Sequence, residues 1–161
     1  MKLFISVTLF LFLVACNHQE DRVTRLEHQI DSLNKRIDST YAPGLGEFMV
    51  SIQLHHAKLW FAGKNGNWEL ANFEMGEIQE DLDNINHYNR DRPEIKNLPM
   101  IYSPLDSLKS AIAGKDPVAF NRSYIFLTNT CNNCHQVTKH GFNKIKIPDA
   151  PPITDQVFDK P

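Results

Sequence analysis

Apolar residues recur along most of this chain at intervals of three and four, the spacing of helices with one buried face. The pattern is cleanest between Glu20 and Ser39, where Val23, Leu26, Ile30, Leu33 and Ile37 follow at steps of 3, 4, 3 and 4. Such steps form the a/d seam of a coiled coil, and the positions between them are charged or polar. The segment is expected to be a helical stalk that joins two or three chains. A single amphipathic helix lying on its own domain or on lipid fits the same pattern. Residues 41–46, Tyr-Ala-Pro-Gly-Leu-Gly, end it, because Pro and Gly break a helix.

Beyond Gly46 the periodicity predicts four more helices. The first spans about Glu47 to Ala62, with Phe48, Met49, Ile52, His56, Leu59 and Trp60 on its apolar face. A turn follows over 63–66, with Gly63 suited to the left-handed position after a helix end. Asn67 is a good N-cap for a second helix, Trp68 to Tyr88, whose stripe is Leu70, Phe73, Ile78, Leu82 and Ile85. Residues 89–99 read as a connection. A third helix covers about Ile101 to Ala113 and stops at Gly114. Asp116-Pro117 is an N-cap followed by Pro at the first helical position, and the fourth helix then runs to about Lys139, closed by Gly141. The tail, 148–161, holds Pro148, Pro151, Pro152 and Pro161 and is expected to be an extended strap. No stretch alternates as a half-buried strand does. The fold class is therefore all-α, an antiparallel four-helix bundle preceded by a coiled-coil stalk.

The front of the chain changes the picture. Met1-Lys2 and the apolar run Leu3 to Val14 read as a signal-peptide core, too short to span a bilayer. Leu13-Val14-Ala15-Cys16 resembles a bacterial lipobox, which implies cleavage before Cys16 and a lipid on its sulfur. The organisation expected is a signal peptide over 1–15, a lipid-anchored stalk over 16–40, a helical domain over 41–147 and the tail. The protein is then exported, anchored to a lipid bilayer and facing the periplasm. The formal net charge is −2 and becomes −3 on losing Lys2, which excludes the strong basic excess of a nucleic-acid binder.

With Cys16 assigned to lipid, Cys131 and Cys134 remain. Cys131-Asn132-Asn133-Cys134-His135 matches C-x-x-C-H, the attachment pattern of c-type haem. Residues three apart on a helix share a face, about 5–6 Å between Cβ atoms. Two thiols so placed can each form a thioether to a porphyrin vinyl group, and His135 is then held beneath the macrocycle as the proximal iron ligand. Its Nδ1–H is expected to donate to a backbone carbonyl or water. Two rivals are weaker. A redox CxxC would sit at a helix start after a strand. A zinc site of Cys131, Cys134, His135 and His140 would need adjacent residues pointing the same way.

The motif lies on the last predicted helix, and Met49, Met75 and Met100 all precede it. In this placement the region 46–146 resembles the cytochrome c′ and cytochrome b562 group of four-helix-bundle cytochromes. The resemblance implies one covalent haem c with its iron. Its sixth ligand would be Met49, matching the first-helix Met of cytochrome b562, or the iron face would stay open. His56 and His55 are rival ligands, and Met49 is also explicable as core filler. Phe48, Trp60 and Tyr124 are candidate walls of the haem pocket. A His/Met iron suits electron exchange with membrane-associated redox proteins. An open iron suits binding of nitric oxide or carbon monoxide. No catalytic residues are expected, since no distal Arg/His pair is evident.

Overall fold

The computed structural model describes the backbone of residues 2–40 and 42–161, and the side chains of 20–37, 39–40 and 42–161. Every regular element among them is helical. The chain divides into two compact units, Met1–Ala42 and Pro43–Pro161. None of the described helices is long and apolar enough to cross a membrane.

The first unit is a single helix, α1 (Lys2–Thr40). Its seam residues are all open to solvent, from 48% exposed at Val23 to 62% at Ile37. Asp31 and Lys35, one turn apart, pair at 2.9 Å on the polar side, a contact that stabilises a helix by a few tenths of a kcal/mol. The expected lipid-bearing sulfur of Cys16 and the side chains of the leader lie outside the described residues.

The second unit contains α2 (Leu45–Lys64), α3 (Trp68–Tyr88), a 3-10 helix (Pro93–Ile101), α4 (Tyr102–Ala113) and α5 (Pro117–Val137). Local chemistry explains the starts of α2, α3 and α5. At α2 the Glu47 carboxylate accepts from the Gly44 N–H. At α3 Asn67 Oδ1 accepts from the Leu70 N–H at 3.1 Å. At α5 Asp116 Oδ1 accepts from the N–H groups of Val118 and Ala119 at 2.9 and 3.0 Å, and Pro117 occupies the first turn, where its missing N–H costs nothing. α2 packs chiefly on α3 and α4 on α5. α3 also meets α4, and α5 meets both α2 and the 3-10 helix. Leu59, Met75, Ile78, Ile85, Leu108 and Tyr124 are fully buried between them, and each such side chain contributes about 2 kcal/mol by leaving water.

Four expectations need correction. Gly63 does not end α2; the helix runs on to Lys64, and Gly66 takes the left-handed turn at φ 72°. Gly63 is instead a point of close approach, where a Cβ would lie 2.0 Å from Cζ of Phe120. Phe73 is 55% exposed, because the buried line of α3 runs Ala71, Met75, Ile78, Leu82, Ile85 and leaves position 73 on the far side. Residues 93–101 are not a plain connection. Pro93 and Pro99 cannot donate to an α-helical ladder, but the tighter 3-10 turn accommodates them and buries Leu98 and Ile101. Finally, α5 stops at Val137, short of the expected end at Lys139, and Lys139 itself takes a left-handed turn at φ 64° ahead of Gly141, which was expected to close the helix. A Cβ at Gly141 would meet Gln136 Oε1 at 2.2 Å, a contact that the flexible Gln136 side chain can relieve by turning away.

The tail, 148–161, has no regular element and is tied to the unit by Phe158 and Asp159. Phe158 is buried with its ring 5.8 Å from that of Phe61, and the Asp159 carbonyl accepts from Asn67 Nδ2 at 2.9 Å.

Candidate functional site

The last turns of α5 present Cys131, Cys134 and His135 to a cavity of about 570 Å³. That volume falls within the range of small-molecule and cofactor sites, about 300–1,000 Å³. Met49 and His56 of α2 line the same cavity, so the structure brings the motif together with Met49. Ile52, Ile78, Leu82, Leu98, Ile101 and Leu127 supply an apolar wall. Arg92, Glu94, His140 and Lys144 supply polar groups. Arg92 grips Glu94 with two hydrogen bonds, Nη2 to Oε1 at 2.9 Å and Nε to Oε2 at 3.2 Å, which hold the carboxyl below its ordinary pKa.

His135 is oriented by the loop that follows α5. Its Nδ1 lies 2.6 Å from the Asn143 carbonyl, to which the Nδ1–H donates. A neutral ring held in this way carries its hydrogen on Nδ1 and leaves Nε2 as the acceptor nitrogen, the one a metal would bind. The loop is itself held to the motif. Asn132 Nδ2 donates to the Ile145 carbonyl, and the Ile145 N–H donates back to Asn132 Oδ1, both at 2.8 Å. A turn closed by Asn143 N–H to His140 O at 2.8 Å completes the link. Asn132 is thus a positioning residue that sequence reasoning missed. No periodic signal could reveal it, because its partner lies 13 residues away in an irregular segment.

Both cysteines are free thiols. Burial, and then the neighbouring Cys134, push the Cys131 thiol up to about 12, and burial also pushes Cys134 up. A redox CxxC works through a thiolate of lowered pKa, so this environment has the wrong sign for it. Among the described residues no three His, Cys, Asp or Glu side chains are grouped to hold a metal ion, so Cys131, Cys134, His135 and His140 do not assemble as a zinc site.

The other candidate residues lie elsewhere. Phe48, Trp60 and Tyr124 are core residues that do not line the cavity. Phe48 stacks on Tyr88 with centroids 6.2 Å apart, and Trp60 packs at 4.8 Å from Tyr124 and 6.4 Å from Phe120. Met75 is buried in the core and Met100 is half-buried, and neither lines the cavity. His55 Nδ1 lies 2.7 Å from Glu74 Oε2, and Lys58 Nζ is 2.6 Å from the other oxygen of this fully buried carboxylate. That cluster ties α2 to α3 and takes His55 out of the cavity lining.

His56 stands at the border. Tyr124 Oη lies 2.9 Å from Nδ1 and donates to the His56 carbonyl at 2.7 Å. Thr128 Oγ1 lies 2.9 Å from Nε2 and donates to the Tyr124 carbonyl. A hydroxyl that gives its proton to a carbonyl can only accept from the ring, so the neutral imidazole donates to one of these two oxygens, and its other nitrogen is satisfied only where that hydroxyl turns its proton from the carbonyl to the ring. Burial lowers its pKa from 6.5 to about 4, and the same burial raises the Tyr124 phenol.

No protein-family model, curated protein or solved structure matches this chain.

Proposed function

We propose that the second unit is a monohaem c-type cytochrome built as an antiparallel four-helix bundle of the cytochrome c′ and cytochrome b562 kind, and that it carries electrons. The observation that carries this reading is the cavity of about 570 Å³ with C-x-x-C-H on one wall and Met49 in its lining. The residues fit the group. Cys131 and Cys134 would form the thioether links, His135 would supply the proximal nitrogen and Met49 the sixth ligand. The apolar wall would hold the macrocycle, and Lys144 in the lining would supply a cation for its carboxylates. The bound iron would supply reversible one-electron chemistry, at a potential raised by a thioether ligand.

The chain's own part is then to position and to shield. Asn143 fixes the imidazole tautomer, Asn132 holds the loop that carries Asn143, and Ile52, Leu98 and Leu127 keep water from the centre. The chain is not an enzyme in this reading. It exchanges electrons with redox proteins at a membrane, exported to the periplasmic side and held there by lipid on Cys16.

Mass spectrometry of protein matured in a haem-competent host tests attachment: one added macrocycle supports the reading, and bare polypeptide mass ends it. A visible spectrum of the ferric protein tests the ligand. A low-spin spectrum that turns high-spin in Met49→Ala assigns Met49 to the iron. A high-spin spectrum in the unsubstituted protein, with ready carbon monoxide uptake on reduction, would favour nitric oxide or carbon monoxide binding over electron transfer.

A further inference from the structure

The seam of α1 carries more information than its periodicity. Val23, Ile30 and Ile37 occupy the a positions and Leu26 and Leu33 the d positions, and all five are about half exposed or more. β-branched residues at a with leucine at d fit the packing of two parallel strands, whereas Leu at a with Ile at d turns toward larger assemblies. The flanks are consistent with this. In a parallel, in-register pair each g residue faces the next e residue of the other helix. Arg22 at g then meets Glu27 at e, and Gln29 at g meets Asn34 at e, so every flanking contact within the segment is an ion pair or an amide pair. An antiparallel pair sets g against g, and in the register that stacks Val23 on Leu33 it brings Arg22 opposite Arg36, two cations.

We propose that residues 20–37 of two copies of this chain form a parallel, in-register coiled coil. The occupant of the exposed seam is a second copy of the same helix. The proposal is independent of the haem reading, because no residue of the second unit enters it. Nearly three heptads make a marginal coil in isolation, so the pairing is expected to depend on protomer concentration.

Disulfide trapping in the full-length chain tests it. Leu26→Cys and Leu33→Cys place a thiol at d, and Lys35→Cys places one at f on the outer face. The unsubstituted chain sets the background from Cys16, Cys131 and Cys134. Under mild oxidation both d variants should form covalent dimers in roughly tenfold higher yield than the f variant. In the Leu33→Cys background, Arg22→Glu should cut the yield several-fold, and adding Glu27→Arg should restore it, since the swap keeps complementarity only in the parallel register. Equal yields at positions 33 and 35 would mean random collision and overturn the proposal. Seam cysteines that stay monomeric would give the seam to lipid or to the chain's own second unit and overturn it equally. A charge swap that fails to restore the yield would reject the parallel register.

Discussion

Gly63 and Met49 stand on the same helix, about 21 Å apart along its axis, in opposite surroundings. At Gly63 the unit is packed solid. Phe120 fills the place of the missing side chain and is ringed by Trp60, Trp68 and Tyr124, with centroids 6.4, 5.9 and 6.0 Å away. At Met49 the same bundle of helices stays hollow, with a cavity of about 570 Å³. Protein interiors leave few voids larger than a water molecule. The hollow end is a cleft partly open to solvent, and the two thiols and the imidazole of the motif stand on its wall beside Met49.

His56 lies where the two ends meet, and it should give the largest effect. Its pKa falls from 6.5 in the unfolded chain to about 4 in the folded one. Between these values the unfolded chain binds a proton that the folded chain refuses. Stability is thus full above pH 6.5 and declines as pH falls toward 4, by about 3 kcal/mol at most from this group. Urea unfolding across that window should show the decline, and His56→Gln should flatten it. An unchanged slope in the variant would mean that His56 is not packed as described.

Gly63→Ala attacks the filled end. The new methyl collides with a ring that has no free space, at a cost of about 3 kcal/mol for overpacking, offset by about 1 kcal/mol of helix propensity. A net loss of about 2 kcal/mol is expected, recovered in part by Phe120→Leu in a double-mutant cycle. Gly76, on the exposed side of α3 with nothing near its would-be Cβ, gives the contrast: Gly76→Ala should stabilise by about 1 kcal/mol. If both substitutions act alike, the filled end is not tightly packed.

Asn132→Ala probes the hollow end with the smallest effect. Two half-buried hydrogen bonds to the Ile145 backbone are lost, and a cost of about 1 kcal/mol follows. The informative readout is local. Hydrogen exchange at the Ile145 amide should accelerate, while exchange in α3 stays unchanged. Protection retained at Ile145 would remove Asn132 from its positioning role.

Much of the helical frame was legible in the chain itself. Asn67 and Asp116 mark helix starts through hydrogen bonds made within three residues, and the bounds of α3 coincide with the expected ones. The motif at 131–135 was legible for the same reason, as its spacing is that of one helical turn. The errors fall where the deciding partner is distant. Gly63 reads as a helix stop until Phe120 arrives from another helix. Phe73 reads as core until Ala71 and Met75 take the buried line. A glutamate is not expected in a core, yet Glu74 is fully buried because Lys58 and His55 of α2 pair with both its oxygens.

The sequence by itself determined the helical periods, the N-caps Asn67 and Asp116, the seam of α1 and the placing of two thiols and an imidazole one turn apart, because each depends on neighbours along the chain. Only the tertiary structure decided that Met49 lines the same cavity as His135, that Asn143 turns its carbonyl to the imidazole and that Asn132 holds it there. Those contacts join residues far apart in sequence, and their geometry is set by how helices pack, which no local pattern encodes.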